Sequence, residues 1–263
     1  MKIAAVGDNS TDVYLEQGET YPGGNTVNVA VNLIRLGGEA SYVGFIGTDD
    51  YGAKLRRALA AKGVDISHLS AKPGTSPYTE ITLDKGNRVF GKYDEGVMEH
   101  FFLSEEDKDF ISKHDLMHTS VWSRIEHDLK ELRERGTVIS FDFSDQPEHA
   151  CVDIAMPYVD YAFFSFEQDS TELREFLRNC WNRGPKYVVA TLGENGSLGY
   201  DGENFVEQGV VPGPVVDTMG CGDSFIAGFL YGVLQSLDLK SCLQTGAESA
   251  AVTIQVNGAW PVE

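Results

Sequence analysis

Short apolar runs of strand length alternate with amphipathic segments along most of the chain. The runs at 2–6 and 41–47 are each followed by polar and apolar positions at helical spacing, which predict helices from about Thr26 to Leu36 and from about Asp50 to Lys62. Further apolar runs of similar length lie at 115–121, 137–143, 159–165 and 186–191. Strands that alternate with helices predict an α/β fold, with a mostly parallel central sheet covered on both faces.

Two stretches, roughly 12–22 and 76–96, depart from this alternation and have the pattern of β-ribbons. The second ribbon contains a turn signal at 84–87, and another hairpin is predicted at 197–208. Each ribbon is too short to form a domain. We therefore predict one domain over residues 1–263, in which the two ribbons form a small β-sheet lid.

The chain carries 40 acidic and 21 basic residues, a formal net charge of -19 that is spread along its whole length. Such a surface repels nucleic acid and anionic membranes, so neither is an expected partner. If the ligand is an anion, local groups must attract it: backbone amides, a helix N-terminus, a metal ion or a few basic side chains.

The N-terminal segment has only a short apolar run before Gly7, which is too short for a signal peptide or a membrane span. Cys151, Cys180, Cys221 and Cys242 show neither a CxxC pair nor histidine partners at zinc spacing. We interpret these cysteines as reduced thiols and expect a cytoplasmic protein without a structural metal.

The clearest chemistry lies in residues 216–225, VDTMGCGDSF, which lead into a strongly apolar helical pattern. The turn Gly220, Cys221 and Gly222 presents consecutive backbone N–H groups at the positive end of that helix, an arrangement that binds anionic oxygen. Asp223 lies beside this anion site, where a carboxylate is suited to take a proton from a nucleophile. The alternative is that Asp223 merely caps the helix.

A second group of polar residues lies near the N-terminus, where Asn25, Asn28 and Asn32 share one face of the first predicted helix. Amide side chains next to a pair of glycines can bind the hydroxyls of a polar small molecule that approaches the backbone closely. The alternative is an Asn-capped, solvent-exposed helix. The candidate substrate-binding residues, including two acids after the first strand, are Asp8, Asp12, Gly23, Gly24, Asn25 and Asn28.

Several motifs, in their order and separation, resemble those of a known family. They are GGNTVNVA (23–30), GTDDYG (47–52), TLGENGSLGY (191–200) and DTMGCGDSFIAGF (217–229). Nearly the whole chain resembles the ribokinase or phosphofructokinase-B (PfkB) family of carbohydrate kinases. The resemblance implies a ribokinase-like, Rossmann-type α/β sandwich with a β-lid, ATP as phosphoryl donor, and a single Asp base that acts on a sugar hydroxyl.

The resemblance also implies roles for individual residues. Asp223 matches the catalytic base of the family, and the backbone of Gly220, Cys221 and Gly222 matches the site for the γ-phosphate. Asp12, Gly24, Asn25 and Asn28 match substrate-binding positions. The positions that we assign to the nucleotide are Ser165, Thr191, Gly193, Glu194 and Gly196.

Metal binding is where the chain departs from the family pattern. The family often has Asn-x-x-Glu after the strand at 159–165, where it organises Mg²⁺ through water, whereas this chain has SFEQ at 165–168. Either Glu167 takes over this role or the phosphates hold Mg²⁺. A potassium-type (K⁺) site is also common in the family, near Asp217 and Gly258 of this chain. Alternatively, Asp217 closes the turn at the end of a predicted strand.

Within the family the chain is most similar to kinases of fructosamines such as fructoselysine. Segments that carry this similarity include GDNSTDVY (7–14), RVFGKYDEGVM (88–98) and FDFSD (141–145). Asp94 and Glu95 are placed to meet the cationic amine of such a substrate; the alternative is that they belong to a solvated loop. The similarity implies direct transfer of the γ-phosphoryl group of ATP to a primary hydroxyl. Another sugar or a nucleoside is the alternative substrate.

Two other classes of function compete with a kinase. A dinucleotide-dependent oxidoreductase is a poor fit because no GxGxxG follows the first strand, and a P-loop enzyme is excluded because GxxxxGK[ST] is absent. A catalytically silent sugar-binding or regulatory protein would not need Asp223 and its glycine turn. The strand edges that the ribbons leave exposed predict a homodimer formed through the lid.

Overall fold

The computed structural model describes residues 2–84 and 87–261, and a nine-stranded sheet forms its centre. In chain order the strands are Lys2–Val6 (β1), Ser10–Tyr14 (β2), Glu19–Gly23 (β3), Glu39–Gly47 (β4), Asp65–Lys72 (β5), Tyr78–Asp84 (β6), Asn87–Asp94 (β7), Leu116–Ser120 (β8), Ile139–Asp142 (β9), Tyr161–Ser165 (β10), Tyr187–Thr191 (β11), Ser197–Tyr200 (β12) and Phe205–Gln208 (β13). The helices are Asn25–Arg35 (α1), Asp50–Ala61 (α2), Glu105–Ile111 (α3), Leu129–Glu134 (α4), Cys151–Ala155 (α5), Thr171–Trp181 (α6), Cys221–Leu234 (α7) and Leu239–Thr253 (α8).

The central sheet has the strand order β13-β12-β11-β10-β9-β8-β1-β4-β5. From β11 to β5 every neighbouring pair is parallel, and only the edge strands β12 and β13 pair in the antiparallel sense. The predicted mostly parallel α/β sheet is therefore confirmed, and so is the hairpin predicted at 197–208.

Helices cover both faces of this sheet, which explains why its inner strands are continuous apolar runs rather than alternating ones. Along β1, Ile3 and Ala5 enter the core beneath α1, α2, α7 and α8. Ala4 and Val6 point to the opposite face and enter the core beneath α3, α4, α5 and α6. All of these β1 residues are fully buried.

The smaller sheet has the order β3-β2-β6-β7 and contains both predicted ribbons; its role as a lid stays a prediction. Each predicted ribbon is an antiparallel pair, β2 with β3 and β6 with β7, and a parallel pairing of β2 with β6 joins them. The turn predicted at 84–87 falls partly on Lys85 and Gly86, which lie outside the described residues; its flanks, Asp84 and Asn87, are paired.

One predicted strand was wrong. Residues 209–220, where a strand was expected to end at Asp217, contain neither strand nor helix. Pro212 and Pro214 explain this difference, because proline has no N–H to donate to a ladder and interrupts a strand that must pair on both sides.

The cysteines and the helices add two observations. All four cysteines are free thiols, of which Cys221 alone is not fully buried. Among the helices that the structure describes, none has the length and apolar character needed to cross a membrane.

Candidate active site

The N-terminus of α7 opens onto space at the carboxyl end of the sheet. Its N-cap, Gly220, has φ 69°, and a Cβ on this residue would lie 2.3 Å from the Cβ of Ala259. Gly222 in the first turn is exposed, and a Cβ there would meet no atom within 4 Å. Because the first N–H groups of a helix have no partner within it, this glycine turn offers main-chain donors to a ligand.

Asp223 directs its carboxylate toward α1 rather than toward its own helix end. Oδ1 accepts a hydrogen bond from Nδ2 of Asn25, and Oδ2 accepts one from Nδ2 of Asn28, each at 2.7 Å. A role as a simple helix cap does not account for these contacts. The structure therefore brings together the two motifs that the sequence singled out at opposite ends of the chain.

The α1 helix is buried, so the alternative of a solvent-exposed, Asn-capped helix was wrong. Residues 25–33 are all buried, and the N-cap is Gly24, which makes no side-chain cap. The carboxylate of Asp8 accepts the hydrogen bond of the Asn25 N–H instead, at 2.7 Å. Asn32 shares the predicted face but donates to the carbonyl oxygen of Asn28, at 2.9 Å, and does not reach Asp223.

Two buried rings that the sequence analysis missed orient the amides of Asn25 and Asn28. Nε2 of His118 lies 3.0 Å from Oδ1 of Asn25, and Nε1–H of Trp260 donates to Oδ1 of Asn28 at 2.9 Å. Burial lowers the pKa of His118 to about 3, so the imidazole is neutral. With both amide oxygens occupied in this way, both NH₂ groups face Asp223.

Asp142 at the end of β9 is a second carboxylate that sequence analysis missed. Its Oδ2 accepts a hydrogen bond from Nδ2 of Asn25 at 2.8 Å, and its Oδ1 accepts one from the N–H of Ser144 at 2.8 Å. Burial raises its pKa to about 7, and the negative charges of Asp223 and Asp8 act in the same direction. The sequence did contain a signal for Asp142, because this acid lies at the carboxyl end of an apolar run of strand length, within FDFSD.

The electrostatic setting of Asp223 suits a general base. Burial raises its pKa to about 6, while the hydrogen bonds from Asn28 and Asn25 oppose this shift. A carboxyl group with a pKa near neutrality is ionised at physiological pH and still has appreciable basicity.

A cavity of about 140 Å³ lies in front of this group, at the carboxyl ends of neighbouring parallel strands. Its walls include the final residues of β9, β10 and β11, which are Asp142, Ser165 and Thr191, together with Gly222 and Asp223 of α7. Open α/β sheets bind ligands in this position. The predicted base, Asp223, therefore lines the same cavity as two of the predicted nucleotide residues, Ser165 and Thr191.

The other predicted nucleotide residues lie in the turn after β11. Gly193 and Glu194 belong to a 3₁₀ turn, Gly193–Asn195, that follows Thr191 without lining the cavity. Gly196 has φ 90°, and a Cβ on it would lie 2.1 Å from the carbonyl oxygen of Gln208. Glycine at 196 is thus required by close backbone approach.

The predicted substrate residues divide into two kinds by their contacts. A Cβ at Gly23 would lie 3.6 Å from Oδ2 of Asp12 and 3.8 Å from Oδ1 of Asn28, so these three residues share one wall. Asp8 is only 6% exposed, and its carboxylate accepts hydrogen bonds from Ser120 and from the Asn25 N–H. Burial raises the pKa of Asp8. These contacts give Asp8 a positioning role.

The proposed cation ligands are also neighbours. Oδ2 of Asp217 accepts a hydrogen bond from the N–H of Gly258 at 2.8 Å, and Oδ1 accepts one from the N–H of Met219 at 2.9 Å. Asp217 therefore closes the turn before α7, as the alternative interpretation predicted. Within residues 2–84 and 87–261, no group of three or more His, Cys, Asp or Glu side chains is arranged to hold a metal ion.

Comparison with known proteins places the chain among carbohydrate kinases. The family model described as pfkB family carbohydrate kinase matches residues 2–262. Fructoselysine 6-kinase of Escherichia coli (strain K12) is 42% identical over 98% of this chain and 99% of its own length. Fructosamine kinase FrlD of Bacillus subtilis (strain 168) is 40% identical over 99% and 93%. The structure of Arabidopsis thaliana ribokinase complexed with ribose and ATP superimposes with a TM-score of 0.87 at 21% identity, covering 99% of this chain and 94% of that chain.

Proposed function

The chain belongs to the pfkB family of carbohydrate kinases, and from this premise we propose that it transfers the γ-phosphoryl group of ATP to a primary hydroxyl of a fructosamine, as a fructoselysine 6-kinase does. Asp223 is the general base of this proposal. The observation that carries it is the contact of the Asp223 carboxylate with Asn25 and Asn28 beside the open N-terminus of α7. A silent sugar-binding protein would have no need for an ionisable group in that position.

In this mechanism the phosphates of MgATP lie against the main-chain donors of Gly220, Cys221 and Gly222. Asp223 accepts the proton of the sugar hydroxyl as its oxygen forms a bond to the γ-phosphorus, and the bond from that phosphorus to the bridging oxygen of ADP breaks. Asn25 and Asn28 keep the carboxylate pointed at the hydroxyl. Phosphoryl transfer depends mostly on such positioning and on stabilisation of charge, so no covalent intermediate is required.

In this proposal the phosphates of ATP would supply most of the ligands of Mg²⁺, and the protein would supply few. The residues that could hold it there are Ser165, the last residue of β10, and Glu167, which is exposed. Mg²⁺ retains water ligands and accepts phosphate oxygens readily, so a site with few protein ligands fits it. A K⁺ ion near Asp217 and Gly258, and a cytoplasmic location, belong to the same proposal.

The fructosamine substrate rests on the two relatives that are at least 40% identical over nearly the whole chain. The test is a coupled ADP-release assay with fructoselysine, simple ketohexoses and nucleosides, followed by NMR assignment of the phosphorylated carbon. We expect fructoselysine to have the highest kcat/KM and its primary hydroxyl to carry the phosphate. ADP release with none of these acceptors would favour the silent sugar-binding protein, and a preference for a plain hexose or a nucleoside would favour the alternative substrates.

The pH dependence of the reaction follows from the raised pKa of Asp223. Because a protonated carboxyl cannot accept the hydroxyl proton, we expect kcat/KM to be constant above about pH 6 and to fall about tenfold per pH unit below it. Asp8→Asn is the control, since the negative charge of Asp8 adds to the raised pKa of Asp223 and asparagine keeps one of the acceptor oxygens of Asp8. The acidic limb should then move to lower pH; a limb that stays in place would assign the ionisation to ATP rather than to Asp223.

We also propose a homodimer formed through the lid. The edges of the lid sheet are β3 and β7, and Val89 and Tyr93 of β7 are about half exposed, as is Leu15 after β2. An exposed strand edge with apolar side chains is a surface that native proteins cover. Size-exclusion chromatography with light scattering should give twice the chain mass, and a monomer at micromolar concentration would contradict the proposal.

A further inference from the structure

A second cavity, of about 380 Å³, lies outside the network around Asp223. One wall is the end of lid strand β7 and the turn that follows it. The other wall is Arg124, which lies just after β8 of the central sheet. The lining residues are Tyr93, Asp94, Glu95, Gly96, Glu99 and Arg124. None of these residues takes part in the proposed phosphoryl transfer.

This cavity adjoins the substrate side of the active site. The residue before Arg124, Ser123, donates from its hydroxyl to Oδ1 of Asp8 at 3.2 Å. Burial raises the pKa of Tyr93 to about 12, and the negative charges of Asp8 and Glu95 contribute in that order. Tyr93 and Glu95 line the same cavity, and the charge of Asp8 acts on the hydroxyl of Tyr93 as well. A substrate longer than a sugar would extend from the proposed sugar site near Asp8 into this second cavity.

The cavity offers charges of both signs. Arg124 forms an ion pair with Glu95 through Nη2, and the two side chains are 58% and 30% exposed. This contact engages one terminal nitrogen of a guanidinium that has five N–H donors, so a carboxylate can bind beside it. Asp94 is paired with Lys92 at 2.9 Å, and the other acids of the lining are Glu95 and Glu99.

Resting on the proposed function, we propose that this cavity is the subsite for the amino acid part of the substrate. Arg124 binds the α-carboxylate, and Glu95 and Glu99 bind the α-ammonium group. A free α-amino acid head carries one charge of each sign close together, and a plain sugar or nucleoside carries neither. A purely structural ion pair between lid and core is the competing explanation, but an exposed pair of this kind contributes little to stability. The subsite would thus determine specificity without touching the reacting atoms.

The experiment compares two substrates on three forms of the full-length enzyme. Fructoselysine has the amino acid head, whereas the fructosamine of n-butylamine has the same sugar and secondary amine without that head. The variants are R124N and R124K. Asparagine suits this position because the backbone at Arg124 has φ 56°, in the left-handed region that Asn tolerates. Lysine keeps the positive charge but loses the planar arrangement of donors.

We expect R124N to raise KM for fructoselysine about 10- to 100-fold, the usual weight of a charge-assisted hydrogen-bonded contact, with little change in kcat. R124K should give a smaller rise. KM for the butylamine compound should stay within about threefold of wild type. Equal changes for both substrates would mean that Arg124 only holds the lid, and unchanged KM for both would mean that it binds nothing; either result overturns the subsite.

The wild-type enzyme distinguishes failure of the proposed function from failure of the subsite. If wild-type enzyme phosphorylates neither fructosamine, the proposed function is wrong and the subsite with it. If it phosphorylates both with the same KM, the kinase activity stands and the subsite alone is wrong. Melting temperatures of the variants within a few degrees of wild type would establish that each one is folded.

Discussion

Asp223→Ala should lower kcat by about 10²- to 10⁴-fold, the usual range for loss of a general acid–base group, while the affinity for the sugar changes little. The reason is that Asp223 is the carboxylate held by two amides beside the glycine turn, whereas His118 contacts Asn25 and is buried and neutral. Single-turnover kinetics would measure the chemical step, and isothermal titration calorimetry would measure sugar binding.

Asp50→Ala is a matched control. Asp50 also lies in the first turn of a helix, α2, but it is exposed. Its loss removes a favourable charge at a helix N-terminus and should leave kcat unchanged. Turnover of Asp223→Ala at the level of wild type or of this control would refute the general-base assignment, whatever the effect on stability.

Gly24→Ala should be the most damaging glycine substitution at the start of α1. Gly24 has φ 106°, which strains any residue with a side chain, and a Cβ would lie 2.5 Å from the Cα of Asn9. Backbone, unlike the tip of a flexible side chain, cannot move aside cheaply. Strain and overpacking together should lower the free energy of unfolding by about 3–5 kcal/mol and the Tm by about 10 °C. Thermal unfolding followed by circular dichroism would measure both.

Activity should fall as well, because the residue after Gly24 supplies an amide to Asp223. Gly37→Ala isolates the steric part of the effect. Gly37 also has a positive φ, 88°, but a Cβ there would meet nothing within 4 Å. We expect this control to cost about 1 kcal/mol and to retain activity. Equal losses in the two variants would mean that backbone strain alone, and not the contact with Asn9, sets the cost.

The alternation of apolar runs and helical patterns predicted the fold because local periodicity is sufficient to identify strands and helices that face one core. It predicted β10 and β11 with boundaries close to those observed. It failed at 209–220, where Val210, Val211, Val215 and Val216 suggest a strand but the intervening prolines prevent pairing.

The candidate site was predictable only in part. Asp223 and the glycine turn are contiguous, so their chemistry is visible in the sequence. The sequence does not reveal three other residues of the site: Asp142, His118 and Trp260. Each comes from a different part of the chain, and only tertiary packing brings it to Asn25 or Asn28. For the same reason, the pattern of α1 could not show that α7 packs against it and that Thr253 of α8 donates to Oδ1 of Asn32.

The connection between β3 and α1 has a mechanical consequence. Strand β3 ends at Gly23 and helix α1 begins at Asn25, so Gly24 alone connects the small sheet to the helix that carries the two amides. Because the Asn25 N–H is bound by the buried Asp8, a movement of the proposed lid relative to α1 would be taken up, on this connection, by torsion at Gly24. A hinge at Gly24 would therefore lie next to Asn25, the residue whose amide contacts Asp223.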